Sequence, residues 1–572
     1  MCCVVLGGPF PDVCQRSLYK AARIRMCVSA DTPLNIKCLY ARIAPSAQEY
    51  KYPIWPLKHY TTSQYEIKPS TISALLRWYI ETMSHIRPVT ECSPSAIATP
   101  AIFGAEILAL EASWVNNFTL DIPGDFNYNH GAQSVQNVDF CNVTVTYTHP
   151  GYDDRITVET WLPRNWNQRL QATGGGGWRA GRFALSQFFM GGAIGEGCAT
   201  TTTDAGLGDK MPDAWALKSP GNVNLEYLHN LGYRSLNDEA IIAKDLVRCF
   251  YGMPPAYSYW SGCSQGGRQG LMLAQRYPHA YDGIAASAPA QSWPEFVTAL
   301  YYPLLAPLWA GEPSPLSCEL QFLTEEAVKH CDPKDGIVDG IISEPDNSLL
   351  GDHMRLSRAA AITAKAAWSG PRTVAGDSLW YGVSPGSDIS GLGVAPGQNI
   401  TASPDEWLSL FVLKNQSFDI ARLSHEEYDS LFRLAVKEYT DVMAANDPDL
   451  TEFRNAGGKL LTYHGMADGS IPTKGTEHYY RAVSQLIPDV QDFYRYFESP
   501  GLAHCAGGWG GQLTTAFNAL RKWVENGTAP EFLPVRVNGT DGEHDWILCP
   551  YPAKAIQQSG NATDVGSLRC AH

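Results

Sequence analysis

Two hydrophobic periods trade places along the chain. "RITVETWLP" (155–163) alternates apolar and polar residues, the pattern of a half-buried strand. "RLQATGGGGWRAG" (169–181) reads as a strand that runs into a glycine-rich loop, and "EGCATTTTDAG" (196–206) as another strand end. "NDEAIIAKDLVRCFYG" (237–252) switches to helical spacing, with Asn237 as its expected cap. Strand "AYSYWSG" (256–262), helix "GGRQGLMLAQRYP" (266–278) and strand "YDGIAASAPA" (281–290) follow. Such alternation predicts a mostly parallel sheet with helices on both faces. The pattern lapses over 292–450, a stretch rich in Pro, Gly, Trp and Ser, and resumes with "GGKLLTYHG" (457–465) and "DFYRYFESPG" (492–501). The expected organisation is therefore an α/β catalytic domain in two parts, 92–291 and 451–572, carrying a 292–450 insertion over the carboxyl ends of the strands, where open parallel sheets bind ligands. Residues 1–91 show no sustained period beyond a helix-like "TISALLRWYIETM" (71–83) and read as an atypical N-terminal extension of no assigned role.

Composition narrows the class. A chain of 572 residues with a formal net charge of −15 is large enough for a sizeable core and is the wrong sign for a phosphate-binding surface, so nucleic acid is excluded as a partner. Nothing approaches the apolar length of a spanning helix, and "MCCVVLGGPF" is broken too early to read as a signal peptide. The cysteines change that picture. Of fifteen, five precede residue 91 and ten follow it, an even set that can pair completely. Asn-X-Ser/Thr acceptors stand at Asn117, Asn142, Asn399, Asn415, Asn526, Asn538 and Asn561, none of them in the first 91 residues. Even cysteines with sequons point to an oxidising, secretory route for residues 92–572 and an expectation of a secreted protein, with reduced, buried cysteines of a cytosolic protein as the alternative.

The candidate chemistry starts at Gly262-Cys263-Ser264-Gln265-Gly266, which matches the G-x-S-x-G turn that lifts a serine hydroxyl above a sheet between strand and helix. A second match, Gly382-Val383-Ser384-Pro385-Gly386, fails on chemistry. The residue after the nucleophile must donate its backbone N–H to the oxyanion, and Pro385 has none. In the chain order of this architecture an acid and a base follow. Asp468 lies in a loop past strand "KLLTYHG", and His504 in the loop after "DFYRYF"; His464, His478 and His544 are the rivals, but only His504 directly follows the last sheet strand. Ser264 would attack an acyl carbon, His504 would shuttle the proton, and Asp468 would orient the imidazole. The N–H of Gln265 and the glycine loop at Gly175 and Gly176 offer oxyanion donors, though a tetraglycine also reads as a flexible turn. "CDPKDGIVDGIISEP" (331–345) places Asp332, Asp335 and Asp339 within eight residues; a hard cation or a metal-free Asp-Gly turn would each explain it.

Together, "SGCSQGGRQG", "HGMADGSIP" and "PGLAHCAGG" resemble the fungal tannase and feruloyl esterase family of Cys-Ser, Asp, His-Cys serine esterases, over the span from about Cys92 to the C-terminus. The resemblance implies an α/β-hydrolase fold with a large inserted lid domain, a triad of Ser264, Asp468 and His504, and a disulfide between Cys263 and Cys505. It also implies a structural calcium held by the side chains of Asp332, Asp335 and Asp339 with the carbonyls of Ile337 and Ile341. Cys92 with Cys141, Cys318 with Cys331 and Cys549 with Cys570 fit the family pattern and proximity in sequence, which leaves Cys198 and Cys249 either to pair with each other or to stay free. The implied activity is a secreted serine carboxylesterase on feruloyl or galloyl esters, with no organic cofactor. Two alternatives stand beside it: a hydrolase or acyltransferase for a small metabolite ester, and a catalytically inactive hydrolase-fold binding protein. Aromatics of "LWAGEP", "AAWSGPRTV" and "SLWYGV" would line an acid pocket or form the lid's own core. The ester type and the oligomeric state are left open by the residues.

Overall fold

Strands whose successive residues are buried on opposite faces build the centre of one nine-stranded sheet. The computed structural model describes residues 23–29, 36–42, 91–335, 338–343, 356–393, 406–539, 542–558 and 565–572. In chain order the strands are β1 (Glu106–Ile122), β2 (Gln133–Thr148), β3 (Ile156–Pro163), β4 (Arg169–Thr173), β5 (Ala199–Thr203), β6 (Tyr257–Cys263), β7 (Gly283–Ser287), β8 (Lys459–Gly465) and β9 (Tyr494–Ser499). Their spatial order is β9-β8-β7-β6-β4-β5-β3-β2-β1. From β9 to β5 every pairing is parallel; from β5 through β3 and β2 to β1 every pairing is antiparallel.

Helices cover both faces, as the alternation of the text predicts. The main ones are α1 (Ser186–Gly195), α2 (Ser235–Tyr251), α3 (Gln265–Arg276), α4 (Ser317–Cys331), α5 (Arg358–Ser369), α6 (His425–Met443), α7 (Thr473–Leu486) and α8 (Ala516–Asn526). Neighbouring strand residues feed different cores: Trp260, Ile284 and Leu460 pack with Leu271 of α3 and Tyr479 of α7, whereas Tyr259, Ala285 and Leu461 pack with Phe517 and Leu520 of α8. That period of two is what a sheet buried on both sides requires. The hairpin β10 (Leu533–Gly539) and β11 (Gly542–Leu548) closes the α8 side through Leu533, Val535 and Leu548.

Two local expectations need correction, and one element is new. Asn237 is not a cap: a five-residue π-helical turn, Asn230–Arg234, leads into α2, which already begins at Ser235. The long β1–β2 hairpin went unforeseen; its register shifts between Val115 and Phe118 interrupt the alternation by which a strand is recognised. Cys318 and Cys331 are not bonded, because both lie on α4, thirteen positions apart. At 1.5 Å per residue that is about 20 Å, far beyond disulfide reach. Three expected bridges, Cys92–Cys141, Cys263–Cys505 and Cys549–Cys570, are present. Cys198 and Cys249 are buried and not bonded to each other; the Cys198 sulfur accepts from Asn167 Nδ2 (3.5 Å). In the N-terminal stretch, Arg23–Ser29 pairs antiparallel with Ile36–Arg42, and the helix-like run at 71–83 lies outside the described residues.

Between β7 and β8 the described chain adds no strand to the sheet and is largely helical, including α4, α5 and α6. Helix α6 starts from a reciprocal cap, with Ser424 Oγ accepting from Glu427 N–H (3.2 Å) and Glu427 Oε2 accepting from Ser424 N–H (2.9 Å). The core of this segment, built around Trp407, Phe411 and Tyr428, is continuous with Trp178 after β4, Ala290 after β7 and Ile471 after β8. The segment therefore sits on the loops at the carboxyl ends of the parallel strands. Among the quoted lid aromatics, Trp309 stacks on His425 at 4.3 Å and donates from Nε1 to Leu423 O (2.6 Å), a core role.

Candidate active site

Ser264, Asp468 and His504 follow the carboxyl ends of β6, β8 and β9, three strands within four consecutive sheet positions. Ser264 takes φ 63° and ψ −120° at the junction of β6 and α3. This costs backbone energy and persists because neighbours fix it on both sides: Ser264 N–H donates to Ser287 O (3.0 Å), and its carbonyl accepts from Ala290 (3.1 Å) and Arg268 (2.9 Å). Gly262 must be glycine here, since a Cβ would come within 2.5 Å of the Gly266 backbone. Trp260 Nε1 donates to Gly266 O (2.9 Å) and braces the turn from the core. Ser384, the second motif match, lies in a loop of the insertion, where its carbonyl accepts from Ser387 N–H (2.9 Å).

Asp468 is buried and saturated with donors. Its Oδ1 accepts from the backbone of Ser470 (2.7 Å) and Ile471 (2.9 Å). Its Oδ2 accepts from His504 Nδ1 (2.6 Å) and from His464 Nε2 (3.1 Å). Burial pushes this carboxyl up, but the His504 charge and the two imidazole hydrogen bonds overcome it and hold the group well below the usual carboxylate range. Burial likewise disfavours the His504 imidazolium, and the Asp468 charge and hydrogen bond outweigh it, so His504 stands above the ordinary imidazole value. The result is an ionised acid gripping the Nδ1 side of a partly exposed histidine, which leaves Nε2 for a reacting proton.

The disulfide ties base to nucleophile. Cys263 and Cys505, each 3 % exposed, bond with their Cα atoms 6.0 Å apart across 242 residues of sequence. Each is the immediate neighbour of a candidate catalytic residue, Ser264 on one side and His504 on the other.

The oxyanion expectation divides. Gln265 occupies the first position of α3, where a backbone N–H has no acceptor within the helix. Gly175 does not serve as expected, because its N–H donates to Gln269 Oε1 (2.9 Å) and is already spent. A Cβ there would lie 2.0 Å from Arg179 O, so close backbone approach explains this glycine. Gly176 lies one residue further into the loop, its carbonyl accepting from Arg179 N–H (3.0 Å).

Three supporting residues escaped the reading of the text. His464, set aside there as an ordinary histidine, is fully buried on Asp468, with Nδ1 on Thr476 Oγ1 (2.8 Å). Gln269 also donates to Ala180 O (2.8 Å) and so ties the glycine loop to α3. Arg268, wholly buried, donates from Nε to Gln265 Oε1 (2.7 Å) and from its other nitrogens to the carbonyls of Leu231 (2.9 Å), Gly232 (2.9 Å) and Met443 (3.3 Å). Burial, with a smaller push from Arg276, brings this guanidinium down to about 9. The i, i+4 spacing of His464 and Asp468 was the available signal, but only the turn after β8 folds one back on the other.

At the acidic loop, Asp332 is buried and its Oδ1 accepts from Asp339 N–H (3.1 Å), while Asp339 Oδ1 accepts from Ile341 N–H (3.0 Å). The loop thus folds Asp332, Asp339 and Ile341 together, with oxygen donors of the kind a hard cation takes. Ile337 and the Asp335 side chain lie outside the described residues. Among the described residues no three His, Cys, Asp or Glu side chains converge as a metal site.

Comparison with known proteins agrees with this geometry. The family model described as tannase and feruloyl esterase matches residues 141–366 and 398–571. A probable feruloyl esterase of Arthroderma benhamiae is 34 % identical over 465 residues, covering 76 % of this chain and 86 % of that protein. Feruloyl esterase B of Aspergillus niger is 31 % identical over 476 residues, covering 76 % and 88 %. Among solved structures, the tannin acyl hydrolase from Aspergillus niger superposes with a TM-score of 0.74 at 26 % identity, covering 84 % of this chain and 95 % of that one. The sheet, the elbow at Ser264 and these matches together make it an α/β-hydrolase-fold protein that belongs to the tannase and feruloyl esterase family.

Proposed function

We propose that this chain is a serine carboxylesterase that hydrolyses esters of hydroxycinnamic or gallic acid through an acyl-enzyme on Ser264. The observation that carries the reading is the 2.6 Å contact of His504 Nδ1 with the buried Asp468 carboxylate, in a loop bonded through Cys505 to the cysteine beside Ser264. Ser264 Oγ forms a bond to the acyl carbon as its proton passes to His504 Nε2. The Gln265 N–H, with Gly176 as the second loop donor, receives the developing oxyanion. His504 then returns the proton to the leaving alcohol, the C–O bond breaks, and the acyl-enzyme remains. Water, deprotonated by the same imidazole, releases the free acid and restores Ser264.

Ser264→Ala is the direct test: it should abolish turnover of methyl ferulate, methyl caffeate and methyl gallate, and undiminished turnover would remove the mechanism. The relative rates of wild type on the three esters assign the acid.

Two further proposals accompany it. The 332–341 loop binds a structural calcium through Asp332, Asp335 and Asp339 and the carbonyls of Ile337 and Ile341, a reading supported by the oxygen-only donors that the loop gathers; chelation that leaves the melting temperature unchanged rejects it. The chain is secreted and glycosylated, a reading supported by its disulfides and sequons; glycosidase-sensitive product in culture medium is the expected result. No helix among the described residues is long and apolar enough to cross a membrane.

A further inference from the structure

Asp468 Oδ2 receives two imidazoles, and only one of them can reach a substrate. His504 is partly exposed, whereas His464 has no solvent exposure and sits on β8 behind the acid. An ionised carboxylate can only accept, so the His464 nitrogen facing it carries a proton. In the neutral imidazole, with Nε2–H committed to Asp468 at 3.1 Å, Nδ1 accepts the hydroxyl proton of Thr476, 2.8 Å away on α7 and itself fully buried. The chain Thr476, His464, Asp468, His504 is thus directional, each member donating toward the carboxylate from one side or the other.

We infer that His464, oriented by Thr476, is a positioning residue that loads the same oxygen His504 uses and so weakens the grip of Asp468 on the imidazolium, extending activity toward acidic pH. This rests on the proposed Ser264–His504–Asp468 mechanism. Donation from His464 drains charge from Oδ2, and the catalytic imidazolium is then stabilised less by that oxygen. His504 must be neutral to accept the Ser264 proton, so whatever releases its proton at lower pH widens the active range. Oδ1 cannot supply the effect, being held by the Ser470 and Ile471 backbone. The other groups facing the pair are few. His504 and His464 are the titratable groups on Asp468, and Asp468 is the charge acting on His504. From the insertion, Ser387 Oγ donates to the Asp468 carbonyl (3.2 Å), and Asp388 next to it is occupied by Ser390 N–H (2.8 Å). The Tyr463 hydroxyl donates to Cys505 O (3.5 Å) and stays clear of the carboxylate.

The test is the pH profile of kcat/KM for methyl ferulate in the full chain, for wild type, Thr476→Val, His464→Gln and His464→Phe, with thermal unfolding recorded for each. One net hydrogen bond corresponds to a shift of the acidic limb by about half to one pH unit. His464→Phe should move the limb up by that amount, a roughly three- to tenfold loss on the acidic side. Thr476→Val should move it in the same direction by less. His464→Gln, whose amide can restore a donor near the Nε2 position, should stay near wild type. A folded His464→Phe with an unmoved limb overturns the inference, as do Gln and Phe variants that shift alike. If the Phe variant does not fold, Thr476→Val decides: a raised midpoint supports the role and an unchanged one overturns it. Ser264→Ala run alongside separates the two layers, since its retained turnover would remove the triad itself, whereas an unmoved limb in a Ser264-dependent enzyme removes only the role of His464.

Discussion

Replacing both Cys263 and Cys505 by alanine separates what the bridge does for folding from what it does for catalysis. The bond closes 242 residues, for which the chain-entropy relation gives about 5.5 kcal/mol. In a chain of 572 residues that corresponds to a fall in melting temperature of only about 5 °C. The catalytic loss is concentrated on one partner. Ser264 keeps its backbone bonds to Ser287, Ala290 and Arg268 without the disulfide. His504 lies in a loop punctuated by Gly501, Gly507 and Gly508, with Cys505 itself at φ 64° and Ala503 N–H to Gly507 O (3.1 Å) among its few backbone ties. Freed from Cys263, the imidazole drifts relative to the nucleophile, and displacement of about 1 Å is worth roughly 10²-fold in kcat. The assay is methyl ferulate turnover on the folded fraction of the double variant, with calorimetry on the same sample. A folded variant whose kcat stays within about twofold of wild type refutes the bracing role, because a hundredfold loss is what misplacement brings.

Three other outcomes follow from the geometry. Wild-type kcat/KM should fall as pH drops, with the limb's midpoint above the ordinary imidazole value of about 6.5, since Asp468 raises His504 and the neutral form is the base; a midpoint below it contradicts the coupling. Gln269→Ala leaves the Gly175 N–H and the Ala180 carbonyl unpaired in the core and should destabilise by about 2–4 kcal/mol in denaturant titration, with kcat lowered as the oxyanion loop loosens. Away from the site, the hydrogen bonds that His149 donates to Asp154 (2.7 Å) and Asp238 (3.3 Å) raise it to about 9 against the opposing effect of burial. Its contribution to stability is fully present below about pH 6.5 and is lost as pH rises through about 9, so the melting temperature should decline over that window and decline less in His149→Gln.

What the text of the sequence carried and what it did not differ for physical reasons. Strand β3 announces itself by its alternation, and β4 to β9 with the helices between the central ones because a parallel strand buried on both faces is short and bounded by turns, as in "YDGIAASAPA". Ser264, Asp468 and His504 were legible as candidates because each follows such a strand. The β1–β2 hairpin was not, since its bulges break the period and its outer strand is half exposed. Gly175 was misassigned because a glycine run shows that backbone approaches closely, not which N–H is left over once Gln269 has taken one. The roles of His464 and Arg268 were hidden for a common reason: a buried polar residue is defined by the partners the fold brings to it, such as Thr476 for one and Met443 for the other. The Cys318–Cys331 pairing failed because proximity in sequence becomes separation along a helix.

The acyl-enzyme itself offers the most direct measurement. Wild type and Ser264→Ala are mixed with a rapidly acylating aryl ester of ferulic acid, quenched within milliseconds, digested and weighed by mass spectrometry. A feruloyl increment on the peptide containing Ser264, absent from the alanine variant and decaying at the rate of turnover, is the expected result; an increment on any other residue, or undiminished turnover without Ser264, contradicts the mechanism.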